Sequence, residues 1–292
     1  MYTKQALREI GLDGSEFSDA QRKALDEQGY FLVEGVYSKA ECREMAEEFD
    51  RLTEIERDQG GHEVHVEPGA PRVSNIFNKT AVFDRCLECK PLLAAAAYML
   101  GEFKIHGANL RDPLKGQGHQ DLHCDVPKNF VDDWWVANGI LLFDDMTLEN
   151  GPTRLVPCSH LRPPINIPYV NIGEWEPIPL TPAQQAMVPN DFAKPYPGEI
   201  YVTAPAGAVA ILNSSLWHAG TTNASGARRR VLHLTYTRRD LPQQLVQRDY
   251  LTQGLYERLS PAHRFLMDVE PHAAVAAPKK SAQREGAKGW WN

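Results

Sequence analysis

The feature that most constrains the fold of this chain is a series of short extended runs that begins after Gly101. Clusters of Gly, Pro, Asn and Asp separate the runs, which cover residues 102–111, 119–126, 136–144, 153–157, 199–203, 207–213 and 230–237. Repeated short strands joined by turns are typical of a β sandwich or barrel. The 21 Gly and 21 Pro residues favour the many turns that such a fold needs.

The first hundred residues have a different pattern, which predicts helices that flank the β region. Ser18 can cap a helix that ends at Gly29, and residues 30–33 have the composition of a strand. A second helix begins after Ser38, and its apolar residues recur at three- or four-residue steps, which gives it one buried stripe. The stripe consists of Met45, Phe49, Leu52 and Ile55. An Ala-rich helix is predicted over 91–100.

Length and organisation favour one domain over residues 1–292. All-β domains often exceed about 200 residues, and the sequence has neither an internal repeat nor a dividing linker. We expect N-terminal helices over about 18–100, a β core over about 102–240 and a tail over 241–292 that is partly helical and then rich in Lys and Ala. The Pro-rich interval 162–198 is too long for a simple connection, and we interpret it as a lid or substrate-covering insertion.

Charge and hydropathy disfavour two classes of partner. The formal net charge of -7 disfavours nucleic acids and anionic membranes, which are bound largely through Lys and Arg. The N-terminal residues lack the apolar core of a secretory signal, and no later segment is long and apolar enough to span a bilayer. We therefore expect a cytoplasmic protein, and the sequence leaves its oligomeric state open.

The five cysteines are odd in number and predict reduced thiols instead of a disulfide framework. Cys86 and Cys89 form a CxxC pair. No second ligand pair follows at a spacing suited to zinc, so we interpret this pair as a half-buried part of a helix and assign it no function.

Two short segments far apart in the chain supply the ligands of a mononuclear ferrous site. His123 and Asp125 are two residues apart, so in a strand both side chains project to the same side and can hold one ion. His218 follows another predicted strand and can reach the ion through a short turn that ends at Gly220. Two imidazoles and one carboxylate occupy one face of iron and leave positions open for a cosubstrate and dioxygen. The three residues therefore indicate an oxygenase.

Two other groups of histidines compete for a metal. His119 and Asp121 form a second HxD pair on the same strand face, and spacing alone does not choose between the two pairs. The run from His62 to His65 lacks one residue of the HExxH motif of zinc proteases, so its histidines cannot share a helical face. We interpret this run as an exposed loop.

The residues before His123 resemble the metal strand of the phytanoyl-CoA dioxygenase family of Fe(II)- and 2-oxoglutarate-dependent oxygenases. The family strand has the pattern G-x-G-x-Q-x-L-H-x-D, and residues 116–125 read GQGHQDLHCD. The resemblance implies that His123 and Asp125 are metal ligands and that Gln120 contacts 2-oxoglutarate. His119 and Asp121 then become pocket residues or neighbours of the ligands.

Two further segments carry the resemblance, which covers roughly residues 20–240. Residues 145–160 are similar to the family pattern D-x-x-x-E-N-G-x-T-x-x-x-P-G-S-H, and Cys158 replaces the usual glycine, where its side chain could reshape the pocket rim. Thr153 matches a position that often hydrogen-bonds the cosubstrate. Family members also place an arginine about eleven residues after the last histidine ligand, which here is Arg229.

Strand alternation supports Arg229 as an inward-facing residue. The residues that share its strand face are Val231, His233 and Thr235. This face is more polar than the opposite one and suits a wet pocket, in which a guanidinium could hold the distal carboxylate of 2-oxoglutarate by two parallel hydrogen bonds. Arg228 and Arg230 fall on the other face, and we interpret them as surface or packing charges.

The resemblance also implies the architecture and the reaction. The expected fold is mainly β with flanking helices, a double-stranded β-helix or jelly roll whose two sheets enclose the metal. The expected cofactor is Fe(II), with 2-oxoglutarate and O2 as cosubstrates and succinate and CO2 as products. Related halogenases replace the carboxylate ligand by a small residue, so Asp125 favours hydroxylation. Desaturation, epimerisation, ring formation and endoperoxide formation stay open.

The sequence constrains the substrate less than the reaction. Members of the family act on acyl thioesters, compatible solutes and secondary metabolites, and we expect a small molecule, in particular a natural-product intermediate. Candidates for the pocket wall are Asn109, Arg111, Trp134, Trp135 and the 162–198 insertion. The alternative from another class is a jelly-roll protein that binds a divalent ion as a ligand-binding protein or an isomerase, without oxygenase activity.

Overall fold

The computed structural model describes residues 1–168, 175, 177 and 179–270. Its α-helices are α1 (Thr3–Glu9), α2 (Asp19–Gln28), α3 (Lys39–Glu56), α4 (Ile76–Lys79), α5 (Lys90–Leu100), α6 (Pro182–Gln185), α7 (Gln247–Tyr250), α8 (Gln253–Arg258) and α9 (Pro261–Leu266). Its strands are β1 (Tyr30–Val33), β2 (Arg72–Val73), β3 (Phe103–Arg111), β4 (Val136–Leu142), β5 (Thr153–Leu155), β6 (Ile200–Tyr201), β7 (Val209–Asn213), β8 (His218–Gly220) and β9 (Val231–Arg238). Short 3-10 helices cover Arg57–Gln59, Asp84–Glu88 and Ser159–Leu161.

Helices α2 and α3 begin where the sequence predicts, and α2 also ends at its predicted residue. Ser18 and Ser38 each accept a hydrogen bond from the backbone N–H three residues later and so cap α2 and α3. Gly29 ends α2 with a φ of 84°, a left-handed conformation that suits glycine. One member of the predicted apolar stripe of α3 differs, because Ile55 is 62% exposed near the end of the helix.

Two antiparallel sheets form the jelly roll, which confirms the predicted fold class. The larger sheet has the strand order β1-β7-β4-β9-β3-β2, and the smaller one has the order β6-β5-β8. Within the larger sheet β9 pairs with β3 on one side and with β4 on the other. The first residues of β9 are therefore enclosed by neighbouring strands, and the strand begins two residues after Arg229.

The two faces of β9 have different neighbours. Leu232, Leu234 and Tyr236 belong to the main apolar core, which the N-terminal helices cover. His233 and Thr235 line a cavity on the opposite face, and Val231 packs in a second apolar core between the sheets. The predicted alternation of a polar inner face and an apolar outer face is therefore present along this strand.

The segment 119–126 is not a regular strand, contrary to the sequence prediction. Its one β-bridge joins His123 to His218, with backbone hydrogen bonds in both directions. The N–H groups of Leu122 and Cys124 donate instead to carbonyl groups of the 162–198 insertion. Since alternate residues pair with different segments, the chain is extended here without a continuous ladder to one neighbour.

The main apolar core includes residues from both ends of the described chain, from Ala6 to Val269. Cys86 and Cys89 lie in this core and are fully buried, not half-buried, with Cys86 in the 3-10 helix Asp84–Glu88 and Cys89 directly after it. Burial raises the pKa of the Cys89 thiol to about 11, as expected for an inert structural residue. Among the described residues, no helix combines the length and apolar character needed to cross a bilayer.

Candidate metal centre

Three side chains converge at one end of the smaller sheet. Potential ligand atoms of His123, Asp125 and His218 all lie within 4.8 Å of one another. One carboxylate oxygen of Asp125 is 3.8 Å from Nε2 of His123 and 3.5 Å from Nε2 of His218. The structure therefore brings together the three residues that the sequence proposes as metal ligands.

Backbone pairing explains why residues so distant in sequence meet. The bridge between His123 and His218 places the two imidazoles side by side, with ring centroids 4.6 Å apart. The backbone N–H of Asp125 donates to the carbonyl of Ser214, which extends this contact by two residues. On its other side β8 pairs with β5, so that Leu155 lies opposite His218. The histidine from the second segment is thus held by strands on both sides.

Hydrogen bonds at Nδ1 orient both imidazoles. Nδ1 of His123 lies 2.7 Å from the carbonyl oxygen of Asp121, and Nδ1 of His218 lies 2.9 Å from that of Leu216. A carbonyl oxygen only accepts, so each Nδ1 carries the proton and each Nε2 keeps its lone pair for a metal. The Asn138 amide donates to the Asp125 carboxylate over 3.3 Å and fixes it in turn. Sequence reasoning did not identify Asn138.

Burial and mutual attraction set the protonation of the three groups. Burial lowers the pKa of His123 to about 4, and the neighbouring His218 adds to this effect. At Asp125 the attraction of the two imidazoles outweighs burial and holds the pKa of the carboxyl well below its usual range. At His218 the Asp125 carboxylate outweighs burial and raises the pKa. A divalent cation at Nε2 would replace the proton that this attraction favours.

The upstream HxD pair lies at the surface. The side chains of His119 and Asp121 are 46% and 55% exposed, and neither lines the metal cavity. Within the described part of the chain, this pair belongs to no group of three metal-binding side chains. The pair therefore supplies no wall residue of the cavity, but it adjoins a candidate ligand, the other role that the sequence allowed, because the Asp121 carbonyl oxygen lies 2.7 Å from Nδ1 of His123.

A second acidic and histidine cluster does not need a metal. It consists of Glu56, His62 and Glu63. Lys79 Nζ lies 2.6 Å from a carboxylate oxygen of Glu56 and 2.7 Å from one of Glu63, so a side-chain cation already neutralises the group. The interpretation of the run from His62 to His65 as an exposed loop is only partly right, because His65 lines the metal cavity.

The cavity beside the three metal-facing residues has a volume of about 90 Å³, and most of the residues that line it carry polar side chains. Gln120 and Thr153, both proposed from the sequence, line it. The Gln120 side-chain oxygen accepts a hydrogen bond from the backbone N–H of Gly220 over 2.8 Å, which ties the two metal-bearing segments together. Wall residues that sequence reasoning missed are His65, Arg72, His106, Asn138, Val136, Ala219 and Gln244.

Two arginines of neighbouring strands lie at one end of the cavity. Arg72 on β2 is the direct cross-strand partner of Arg111 on β3, and both line the cavity. The Glu67 carboxylate accepts two hydrogen bonds from Arg111, at 2.8 and 2.5 Å, and one from Arg72 at 2.5 Å. Arg111 is thereby engaged, whereas Nε of Arg72 is buried without a hydrogen-bond partner.

Arg229 lies near this pair and is 1% exposed. It does not line the cavity directly, but its charge interacts with those of Arg111 and Arg72, which do. Its Nε and Nη2 atoms are buried and form no hydrogen bond with the described residues. Burial and repulsion from Arg111 lower the pKa of Arg229 to about 9. Buried donors without acceptors cost about 1–3 kcal/mol each, so this end of the cavity is arranged to receive an anion.

The arginines on either side of Arg229 are already paired. Arg230 donates two hydrogen bonds to Asp144, and Arg228 donates one to Asp112. Asp112 also accepts the backbone N–H of Arg229 over 3.0 Å. Because these carboxylates hold both neighbours, Arg229 is the one of the three consecutive arginines whose side chain has no carboxylate partner among the described residues.

Several predicted wall residues lie elsewhere. Asn109 and Arg111 line the cavity as expected, but Trp134 and Trp135 do not. Trp135 packs with Val126 and Val136 in a small apolar cluster. The described residues of the 162–198 insertion pack against the metal-bearing segment and line no part of the metal cavity, and the role of the insertion as a lid stays a prediction. Residues 169–174, 176 and 178 lie outside the described ones.

Cys158 occupies the turn where the sequence pattern expects glycine. Its φ is 64°, a left-handed conformation that favours glycine, and its side chain does not reach the cavity wall. We expect Cys158→Gly to raise the free energy of unfolding by about 1 kcal/mol, because a Cβ is unfavourable in this conformation. Urea unfolding measures the change. Cys158→Ala, which keeps the Cβ, is the control, and an equal gain in this variant would contradict the backbone explanation.

Comparison with known proteins matches the region that contains His123, Asp125 and His218 to one family. The family model described as phytanoyl-CoA dioxygenase (PhyH) matches residues 25–231. An ectoine dioxygenase of Bordetella parapertussis is 26% identical over 235 residues, which covers 72% of this chain and 73% of the relative. The corresponding enzyme of Bordetella bronchiseptica matches with the same values.

Solved structures share the fold at low sequence identity. HygX from Streptomyces hygroscopicus, with nickel and 2-oxoglutarate bound, matches with a TM-score of 0.59 and 16% identity over 78% of this chain and 89% of its own. The carbocyclase SnoK from nogalamycin biosynthesis matches with a TM-score of 0.59 and 19% identity over 85% of this chain and 93% of its own. These likenesses show a common architecture.

Proposed function

This chain belongs to the phytanoyl-CoA dioxygenase family, and from that membership we propose that it oxidises a small organic molecule at an Fe(II) centre held by His123, Asp125 and His218. 2-Oxoglutarate and O2 are the cosubstrates. The observation that carries the proposal is the position of a buried guanidinium without an acceptor, that of Arg229, beside the cavity that these three residues line.

The side chains fit a ferrous ion. Two imidazole nitrogens and one ionised carboxylate are a donor set that Fe(II) oxygenases use. Carbonyl oxygens at both Nδ1 atoms and the Asn138 amide on Asp125 supply the supporting hydrogen bonds that metal ligands usually have. None of the described side chains supplies a fourth ligand, which the tetrahedral coordination of a purely structural zinc site would require.

The anion end of the cavity fits 2-oxoglutarate. The cosubstrate has two carboxylates, and the described residues here offer two guanidinium groups with unmatched N–H donors, those of Arg72 and Arg229. Charge-assisted hydrogen bonds of this kind are about twice as strong as neutral ones. Gln120 and Thr153 add polar groups along the same wall. We propose Gln120, Thr153 and Arg229 as cosubstrate-binding residues, and Arg72 as a further one.

When iron, 2-oxoglutarate and O2 are bound together, they supply an oxidative decarboxylation to succinate and CO2 that is coupled to oxidation of the substrate. The protein contributes by orienting the metal ligands and the bound molecules and by excluding water. His123 and His218 keep fixed ring orientations through their Nδ1–H groups, and Asn138 restrains the carboxylate. The buried guanidinium groups of Arg72 and Arg229 would hold a carboxylate of 2-oxoglutarate away from the open coordination positions of the metal.

Hydroxylation is the proposed outcome. Asp125 retains the carboxylate that related halogenases lack, so this carboxylate would take the coordination position on iron that a halide ion needs. Desaturation, epimerisation, ring formation and endoperoxide formation use the same ligands and are alternatives within this proposal. The relatives and neighbours include an ectoine dioxygenase, a carbocyclase and a protein solved with hygromycin B. We propose a natural-product intermediate as the substrate of this chain.

We further propose a cytoplasmic enzyme with residues 1–292 as one dioxygenase domain. Free thiols at all five cysteines support a reducing compartment, in which Fe(II) is also retained. The main apolar core, which draws on both ends of the described chain, supports a single folding unit. The alternative of a metal-binding jelly roll without oxygenase activity gives no role to the unpaired donors of Arg72 and Arg229.

A spectroscopic and a product measurement test this function. Anaerobic addition of Fe(II) and 2-oxoglutarate should produce a weak visible charge-transfer band, and oxygen should then yield succinate. Omission of either component should remove the band. A protein that gives no band and no succinate, with or without candidate substrates, is not an oxygenase of this class.

A further inference from the structure

The end of the cavity opposite the arginines is built partly by residues that follow β9. Gln244 lines the cavity although it lies beyond residue 231, where the family match ends. Its backbone N–H donates to Nδ1 of His106 over 3.2 Å, and the N–H of Leu245 donates to the carbonyl of His106 over 3.2 Å. The C-terminal segment is therefore fixed against the edge of the cavity by backbone contacts.

An irregularity in β3 makes this arrangement possible. The pairing of β3 with β9 shifts register between Ile105 and Gly107, which leaves His106 as an extra residue at the cavity wall. Such bulges redirect side chains. At Gly107, a Cβ would lie 2.3 Å from the side-chain oxygen of Gln244. The absence of a side chain at Gly107 therefore provides the space that Gln244 occupies.

A chain of hydrogen bonds orients the Gln244 amide. The Ser74 hydroxyl donates to the side-chain oxygen of Asn109 over 2.7 Å. Nδ2 of Asn109 then donates to the side-chain oxygen of Gln244 over 2.8 Å. With its oxygen occupied, Gln244 presents Nε2, which donates to no group among the described residues. The amide therefore offers N–H donors to the cavity.

Apart from the Asp125 carboxylate, which is proposed as a metal ligand, this end of the cavity is polar and uncharged. Apart from Asp125, the described wall residues here are His106, Asn109, Val136, Thr235 and Gln244. Burial lowers the pKa of His106 to about 4, so its imidazole is neutral near pH 7. A carboxylate would find no cation here, and an ammonium group would face N–H donors. An uncharged oxygen acceptor is the group that these donors complement.

We propose that Gln244 is a specificity-determining residue that donates a hydrogen bond to an uncharged oxygen of the substrate. The substrate class is an oxygenated neutral molecule, with a carbonyl, ether or hydroxyl oxygen near the carbon that is oxidised. This inference deepens the proposed function and rests on it only for the identity of the cavity as the place of oxidation.

Three small probes of equal ring size test the proposal: cyclopentanone, cyclopentylammonium and cyclopentanecarboxylate. Their binding is measured by saturation-transfer NMR on protein loaded with 2-oxoglutarate and zinc, which has no redox chemistry. The wild-type protein should bind the ketone at least about fivefold more tightly than either ion, the factor expected for one hydrogen bond.

Gln244→Glu is the most discriminating variant, because its carboxylate can still accept a hydrogen bond from Asn109 but has no N–H group to donate. It should weaken binding of the ketone about fivefold and make cyclopentylammonium the most tightly bound probe. Gln244→Met should weaken binding of the ketone by the same factor without tighter binding of the ammonium. This variant tests the proposal if Gln244→Glu does not fold. Gln253→Glu, on the exposed face of α8, adds the same charge and should keep the wild-type order.

An unchanged order of the three probes in both Gln244 variants overturns the proposal, as does a wild-type protein that binds no probe or prefers an ion. The charge-transfer band of the wild-type iron complex separates this result from the proposed function. If the band is absent and the preference still changes in the variants, the oxygenase assignment fails and the subsite stands. If the band is present and the preference is unaffected, only the subsite fails.

Discussion

His123→Ala is expected to abolish iron-dependent formation of succinate. The substitution removes one of the three groups that face the metal, and loss of a mere supporting hydrogen bond in such sites already costs about 10- to 100-fold in metal affinity or activity. We therefore expect more than about a 100-fold loss of iron affinity. Iron titration followed by the anaerobic charge-transfer band measures binding, and succinate released under oxygen measures turnover.

His119→Ala is the matched control for this experiment. It removes a histidine of the competing HxD pair, and the side chain is 46% exposed and outside the cavity wall. Iron affinity should stay within about twofold of wild type, the range usual for a surface substitution. The opposite pattern, with His119→Ala inactive and His123→Ala active, would move the metal site four residues upstream.

Arg229→Met is expected to have opposite effects on cosubstrate binding and on stability. Loss of a buried charged partner costs about 2–5 kcal/mol, so the Kd for 2-oxoglutarate should rise at least about 30-fold. In the ligand-free protein the same change removes a buried guanidinium without hydrogen-bond acceptors. Replacement of buried charges by apolar side chains is often stabilising, and we expect the free energy of unfolding to rise by about 1–3 kcal/mol.

Titration of the charge-transfer band gives the Kd, and urea unfolding of the ligand-free protein gives the stability. Arg229→Lys is the control, because it keeps the charge but loses the planar fork that binds a carboxylate with two hydrogen bonds. The affinity of Arg229→Lys for 2-oxoglutarate should fall between those of the wild-type protein and Arg229→Met. A methionine variant that is less stable and binds 2-oxoglutarate normally would show that Arg229 has a structural role.

Much of the site could be predicted because metal ligation needs particular side chains at short, regular spacing. His123 and Asp125 are two residues apart, and the family resemblance, which places an arginine about eleven residues after the last histidine ligand, indicates Arg229 among three consecutive arginines. Short strands and turns indicated a β sandwich or barrel, and the family resemblance implied the jelly roll. These features are local in sequence, so a single chain displays them without knowledge of its folded neighbours.

Other wall residues come from segments whose sequence carries no comparable signal. Arg72 belongs to a two-residue edge strand, and Gln244 lies in a tail that the sequence describes only as partly helical. His65 lies in a run interpreted as an exposed loop. Each reaches the cavity because a distant element packs beside it. The predicted strand 119–126 failed for the same reason, since its alternate residues pair with two different partners.

The sequence by itself determined the spacing of the candidate donors and the order of the segments that carry them, since covalent spacing is a property of the chain alone. Only the tertiary structure decided which HxD pair meets His218, which guanidiniums remain unpaired and which residues close the far end of the cavity. Those outcomes depend on packing and on competition for hydrogen-bond partners between segments far apart in sequence, and no local pattern encodes that competition.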